Sequence, residues 1–235
     1  SYYEGLTSYP AARCVRILNP LSADLNVMRQ TLLFNTMEAV QLNANRRNGN
    51  LRLYEFGNCY FYDEAARDAE KPLSAYSEQY RLAIAVTGAA VPQSWNAKPQ
   101  ASSFFTLRAV AEKLLRRFGL DIYALKCEPL QSDLFGDGIS LSAGNGRELL
   151  QMGVVAPRIR RAFDLKQEVY YLEMNFDALV KSTRKHRIAF EELSKFPEVK
   201  RDLALLVDRQ VTFAQLRAIA LATERKLLKS VSLFD

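Results

Sequence analysis

Histidine is almost absent from this 235-residue chain. Its one copy, His186, sits in the basic run Arg184-Lys185-His186-Arg187, which has the composition of a solvated connector. A single histidine argues against a Ser-His-Asp triad, a papain-like site or a multi-histidine metal centre. Cysteine is scarce too. Cys14, Cys59 and Cys127 are far apart and odd in number, so they read as reduced, half-buried thiols rather than a disulfide frame or zinc site. No apolar run approaches the roughly 18 residues of a membrane helix, and the first ten residues lack a signal peptide's apolar stretch. The expectation is a cytoplasmic protein with no membrane association. Charge is not one-sided: 32 Lys and Arg against 26 Asp and Glu leave +6, which permits nucleic-acid binding without demanding it. The chain opens on Ser1 rather than Met, as a piece of a longer protein would.

What is present is an ordinary globular composition, 49% hydrophobic and 25% charged, enough for one large domain or one domain and part of another. Residues 21–45 carry Leu25, Met28, Leu32, Leu33, Met37, Val40 and Ala44 at helical spacing, predicting one long amphipathic helix. Ser22 is its candidate N-cap, Asp24 suits its N-terminus, and Gly49 suits a left-handed close. Residues 51–62 read as a strand with Tyr54, Phe56 and Tyr60 on one face and Leu51 and Leu53 on the other, as in a central strand. Another strand runs through Leu82, Ile84 and Val86, then a loop holds the only Trp, and a helix spans 104–118 before Gly119. Strands follow at 122–127 and 138–142. Gly144-Asn145-Gly146 turns the second of these into a strand at 148–155. A short helix at 157–163, a strand at 168–174 and a helical turn at 176–181 complete an α+β pattern with a mainly antiparallel sheet.

Residues 181–187 hold five basic residues in seven, typical of an exposed connector, and divide the chain into 1–187 and 188–235. Beyond the connector, 190–193, 202–207 and 231–234 are strand-like. A helix between the last two opens on a capping box of Thr212 and Gln215 with a Val211–Leu216 staple. This is about half of a ferredoxin-like unit, and its unpaired edges predict association or fraying over 211–235.

Two separated blocks resemble one family, the beta subunit of bacterial phenylalanyl-tRNA synthetase. The first comprises Asn19-Pro20-Leu21-Ser22, Val27-Met28-Arg29, Leu32-Leu33 and Leu53-Tyr54-Glu55-Phe56-Gly57. The second comprises Ser194-Lys195-Phe196-Pro197, Arg201-Asp202-Leu203-Ala204 and Leu233-Phe234-Asp235. Residues 153–157 and Phe163-Asp164-Leu165 are similar to the family's last core strands. The resemblance implies a class II synthetase-like antiparallel sheet with flanking helices, not itself catalytic, then a truncated ferredoxin-fold anticodon-binding domain. It also implies two alpha and two beta subunits with the active site in alpha, ATP and magnesium in the holoenzyme, magnesium-binding carboxylates in a module upstream of this part, and tRNA(Phe) as a further partner. No cofactor or metal is expected in this part of the chain. The alternative is a free-standing synthetase-like RNA-binding or regulatory module.

Adenylate formation needs an Arg on the alpha-phosphate and acids for magnesium. Arg52 and Glu55 are the candidates for a degenerate second class II motif, but their Arg-x-x-Glu spacing puts them on opposite strand faces. The competing reading leaves Arg52 exposed and gives Glu55 a structural hydrogen bond or ion pair. Gly144-Asn145-Gly146-Arg147 is the only textual match to a third motif, and a hairpin explains it better. At the position expected for that motif, residues 171–179 have no glycine and no Arg. Leu25, Met28, Arg29, Leu32, Leu33 and Met37 are the candidates for contact with the alpha subunit, against packing on the chain's own sheet. Lys195, Lys200 and Arg201 are the candidate tRNA contacts, and Phe196 is either a core plug or a base-stacking ring.

Overall fold

The computed structural model describes residues 2–22, 26–184, 187, 190, 192 and 195–234. The chain divides into two units, Ser1–His186 and Arg187–Asp235. The first is organised around β1 (Leu51–Tyr62), β2 (Tyr76–Thr87), β5 (Lys126–Pro129), β6 (Phe135–Ser142), β7 (Glu148–Val155) and β8 (Val169–Asn175). They form one antiparallel sheet in the order β1-β2-β8-β7-β6-β5. A separate pair, β3 (Ala89–Val91) and β4 (Gln100–Ala101), brackets the loop carrying the exposed Trp95. The helices are α1 (Leu33–Asn45), α2 (Phe104–Arg117), α3 (Pro157–Ala162), α4 (Phe176–Thr183) and, in the second unit, α5 (Phe213–Thr223).

Strand alternation sends odd and even residues to opposite faces. On one face Ala83, Ala85, Val169 and Tyr171 pack with Leu32, Leu33, Met37 and Val40. On the other, Leu82, Val86, Leu172 and Met174 pack with Leu107, Ala111 and Leu115 of α2 and Leu179 of α4. The sheet is therefore covered on both sides, and each fully buried Leu or Met contributes about 1.5–3 kcal/mol. Helix α2 starts with a capping box of Ser103 and Thr106, and Gly119 follows it with φ 76°. The Gly144-Asn145-Gly146 segment is a turn: Gly146 N–H donates to Ala143 O at 2.9 Å and Arg147 N–H to Asn145 Oδ1 at 3.1 Å.

Several expectations differ from the structure, among them the strand expected at 122–127, where Ile122–Ala124 is a 3-10 turn and the strand is Lys126–Pro129. The long helix begins at Leu33, not near Leu21, because 15–17 and 26–28 run as an antiparallel bridge, with Ile17 N–H donating to Asn26 O and Met28 N–H to Val15 O. Spacing alone does not separate Met28 from the helical stripe, since an extended segment that reaches the same core shares it. The helix also closes differently. Arg47 takes the left-handed conformation, φ 61°, and Gly49 does not. Strand β1 is an edge strand, not a central one; part of its free side is covered by the Arg29 carbonyl accepting from Tyr60 N–H at 2.8 Å. Two of the cysteines, Cys14 and Cys59, are buried, and Cys127 is exposed.

In the second unit α5 has the expected capping box of Thr212 and Gln215. The segments at 202–207 and 231–234 join no ladder among the described residues, and Leu203 and Leu206 are exposed. An apolar alternation supplies a strand's face but not the neighbour that its N–H and C=O groups require. The strand expected at 190–193, the Asp24 cap, Leu25 and His186 fall wholly or partly outside the described residues.

Candidate functional site

The sheet face that carries α1 opens, near the end of β1, into a polar cleft of about 380 Å³. Its floor is made by Phe61 of β1, Gln79 and Arg81 of β2 and Gln151 of β7, and Ser8 and Ser132 stand at its rim. These side chains share one face because Phe61, Gln79 and Arg81 are all odd members of their strands. The rim is pinned by Asp133. Its carboxylate accepts from Thr7 N–H at 2.6 Å and Ser8 N–H at 3.2 Å. Burial works against the Asp133 charge, but these donors outweigh it and hold the carboxyl below its ordinary range.

Behind the cleft lies a closed network centred on Glu173 of β8. Glu173 Oε1 accepts from Arg81 at 2.5 Å, while Oε2 accepts from the hydroxyls of Thr31 and Tyr171, each at 2.5 Å, and from Leu32 N–H at 3.2 Å. The last contact places a carboxylate at the N-terminus of α1, where the unpaired N–H groups and the helix dipole favour negative charge. Thr31 Oγ1 in turn accepts from Leu33 N–H at 3.1 Å. The cap of α1 is thus supplied by a distant strand and not by Ser22. Arg81 also donates to Tyr9 Oη at 2.9 Å and lies 5.2 Å over the Phe61 ring. Burial opposes its charge, yet the neighbouring Glu173 carboxylate prevails and the guanidinium is held more firmly protonated than in water. Burial likewise raises Tyr9 and Tyr171, with Glu173 adding to both, and pushes the Cys59 thiol up to about 12. Cys59 is therefore inert at neutral pH.

The cleft has little spare charge. Arg81 is neutralised by Glu173, Arg13 stands 3.9 Å from Asp63, and Glu148 is engaged by Ser140 and Gln151. Gln30 donates to Pro10 O and Cys14 Sγ, while its buried Oε1 has no hydrogen bond. Among the described residues, both arginines that line the cleft have a carboxylate of this chain within 4 Å, whereas the phosphates of a nucleotide call for cations free to meet them.

The sequence candidates lie elsewhere. Arg52 and Glu55 are on opposite faces of β1, and neither lines the cleft. Arg52 is exposed and donates to Ala90 O at 2.8 Å. Glu55 is ion-paired to Arg29 at 2.6 Å, and Arg29 also donates to Asn58 O at 3.0 Å. Arg29 and Glu55, singled out for different roles, are therefore partners, and the guanidinium lies so close over Gly57 that a Cβ there would sit 2.0 Å from Nη2. Leu32, Leu33 and Met37 are fully buried in this chain's own core, so they leave no surface for a partner subunit. Met28 is half-buried, and Leu25 lies outside the described residues. Lys195, Lys200 and Arg201 are exposed, as is Phe196. Arg81, Tyr9, Thr31 and Glu173 escaped the sequence reading. The one available signal was Glu173 itself, a lone acid within the apolar strand Tyr171-Leu172-Glu173-Met174, which marks a buried and partnered charge.

Residues 2–176 match the model of the phenylalanyl tRNA synthetase beta chain CLM domain, and residues 194–235 match that of the ferredoxin-fold anticodon binding domain. The whole chain aligns with phenylalanine–tRNA ligase beta subunits at 46% identity in Bacteroides fragilis, 47% in Bacteroides thetaiotaomicron and 40% in Porphyromonas gingivalis. It spans 29% of the length of each of these relatives. Among solved structures, a pyrrolysyl-tRNA synthetase from Desulfitobacterium hafniense superposes over 73% of this chain and 53% of its own, with TM-score 0.51 and 15% identity, a likeness of fold. No helix of the described residues is long and apolar enough to cross a membrane. The chain belongs to the phenylalanyl-tRNA synthetase beta chain family, with a CLM domain followed by ferredoxin-fold anticodon-binding sequence.

Proposed function

We propose that this chain is the non-catalytic, class II-like core of a cytoplasmic phenylalanine–tRNA ligase beta chain, joined to sequence that helps to position tRNA(Phe). In this reading it assembles with a catalytic alpha subunit, two of each, in a holoenzyme that uses phenylalanine, ATP and magnesium at the active site in alpha. The observation that carries the reading is the state of Arg81. This arginine, on the floor of the sheet-face cleft, is bound to Glu173, Tyr9 and Gln79, so it serves the fold of α1 and is withdrawn from phosphate chemistry. Electrostatic stabilisation of a developing negative charge requires donors aimed at the reacting atoms, and here they are aimed inward. Arg52 and Glu55 do not replace them, being on opposite faces. In the second unit, Lys195, Lys200 and Arg201 present charge to solvent, as sequence-independent contacts to an RNA backbone require.

The test is co-expression of the full-length beta chain with its alpha partner. Phenylalanine-dependent pyrophosphate exchange is expected from the complex and from neither this chain nor the beta chain alone. Exchange by the isolated beta chain overturns the reading, as does failure of the two chains to associate.

A further inference from the structure

Five arginines of the first unit are neutralised by a carboxylate. Arg13, Arg29, Arg67, Arg81 and Arg116 each form an ion pair with Asp63, Glu55, Glu64, Glu173 and Glu112 respectively. One corner instead gathers several exposed cations in neighbouring turns of chain. Arg46 and Arg47 close α1, while Arg158 and Arg161 stand on α3 with Lys166 just after it, and all five are exposed. Among the described residues none of the five has an ion-pair partner.

Two hydrogen bonds bring the five together. Gln41 Nε2 of α1 donates to Phe163 O at 2.9 Å, and Gln167 Nε2 donates to Gly49 O at 2.9 Å. The turn after α1 and the segment after α3 therefore run side by side. Between Arg161 and Lys166 lies a shallow depression of about 370 Å³. The carboxylates alongside are Asp164 and Glu168, and the Tyr170 hydroxyl already donates to Glu168 at 2.5 Å. The two non-glycine residues with positive φ among those described, Arg47 at 61° and Asp164 at 52°, are both in this corner. A left-handed non-glycine costs on the order of 1 kcal/mol, so the backbone here bears a strain that glycine would relieve.

We propose that this corner binds the sugar–phosphate backbone of RNA, which on the reading above is the tRNA being charged. Five exposed cations in one corner can neutralise successive phosphates of a polyanion and release the counterions condensed on it, which favours binding. Asn45 and Asn48, exposed beside them, carry amides, which hydrogen-bond to phosphate and ribose. A protein partner would instead call for an apolar centre with aromatic anchors.

The experiment uses the full ligase with Arg46→Ala, Arg158→Ala, Arg161→Ala and Lys166→Ala together in the beta chain. Its affinity for tRNA is expected to fall about tenfold or more, and the slope of log K against log salt to become shallower by about 2–3. Pyrophosphate exchange, which needs no tRNA, is expected to stay unchanged, separating loss of this surface from failure of the assembly reading. An unchanged affinity and slope with intact exchange overturns the proposal. Should the variant assemble poorly, acetylation footprinting of the unmodified enzyme decides. Lys166 is expected to gain several-fold protection on addition of tRNA relative to Lys113 of α2, and equal reactivity with and without tRNA overturns the proposal.

Discussion

Arg81 and the arginines at the α1–α3 corner have the same chemistry and opposite settings. Arg81 is sunk into the sheet with a carboxylate at 2.5 Å and an aromatic ring beneath it. Arg46, Arg47, Arg158 and Arg161 face water, with no carboxylate partner among the described residues. A cation is structural where its counter-charge belongs to the chain, and is available for binding where the counter-charge must come from outside. The comparison also separates two sources of cost: removing a partner from Arg81 strands a buried charge, whereas removing a corner cation strands nothing.

The largest effect is therefore expected at Glu173. Glu173→Gln leaves the Arg81 guanidinium buried without its counter-charge and weakens the cap of α1, and it should cost about 3–5 kcal/mol in urea unfolding. Replacing the pair together, Arg81→Met with Glu173→Leu, should recover a large part of that loss. If the single change costs under about 1 kcal/mol, Arg81 is not held by Glu173 and the contrast with the corner fails.

Next comes the rim of the cleft. The Asp133 carboxyl is depressed in the folded chain, so its contribution is fully present above the unfolded value of about 3.9. It is lost as the pH falls through the lower folded value. The Thr7 and Ser8 amides should accordingly exchange faster, relative to the intrinsic rate, below about pH 4. In Asp133→Asn they should exchange faster already at neutral pH. Exchange of these amides that is unaltered by the substitution would show that Asp133 does not pin the rim.

At the corner the expected changes in stability are smaller and differ in sign. Arg47→Gly removes the left-handed penalty and should raise stability by about 1 kcal/mol, while also weakening tRNA binding if the corner is an RNA surface. A gain in stability without loss of binding would assign Arg47 to the helix end alone. The fourfold alanine variant should stay within about 0.5 kcal/mol of the parent, as surface changes do. A loss of several kcal/mol would place those cations with Arg81 as structural. Arg52→Ala should be the smallest change, also within about 0.5 kcal/mol, because its exposed bond to Ala90 O can be exchanged for water.

Much of the architecture is legible in the residues themselves. The Thr212–Gln215 box starts α5 where the pattern places it, and Gly119 ends α2. The Gly144-Asn145-Gly146 turn joins β6 to β7. The separation of Arg52 from Glu55 follows from the two-residue period of any strand. The start of α1 was not legible, because its cap is a carboxylate 141 positions away from the amide it meets. Strand β1 carries apolar residues on both faces whether it stands at the centre of a sheet or at its edge, so its place is not written in its pattern.

The chain's local chemistry alone determines which segments are helices and strands, where most of them end, and which faces are apolar, since capping, turn geometry and periodicity act over a few neighbouring residues. Its two separated blocks of family-like residues also point to the synthetase beta chain. Only the tertiary structure decides which charges meet. Arg29 finds Glu55 and Arg81 finds Glu173, while the arginines of the α1–α3 corner find no carboxylate among the described residues. Electrostatic pairing depends on distance in space and on burial, and neither leaves a periodic mark along the chain.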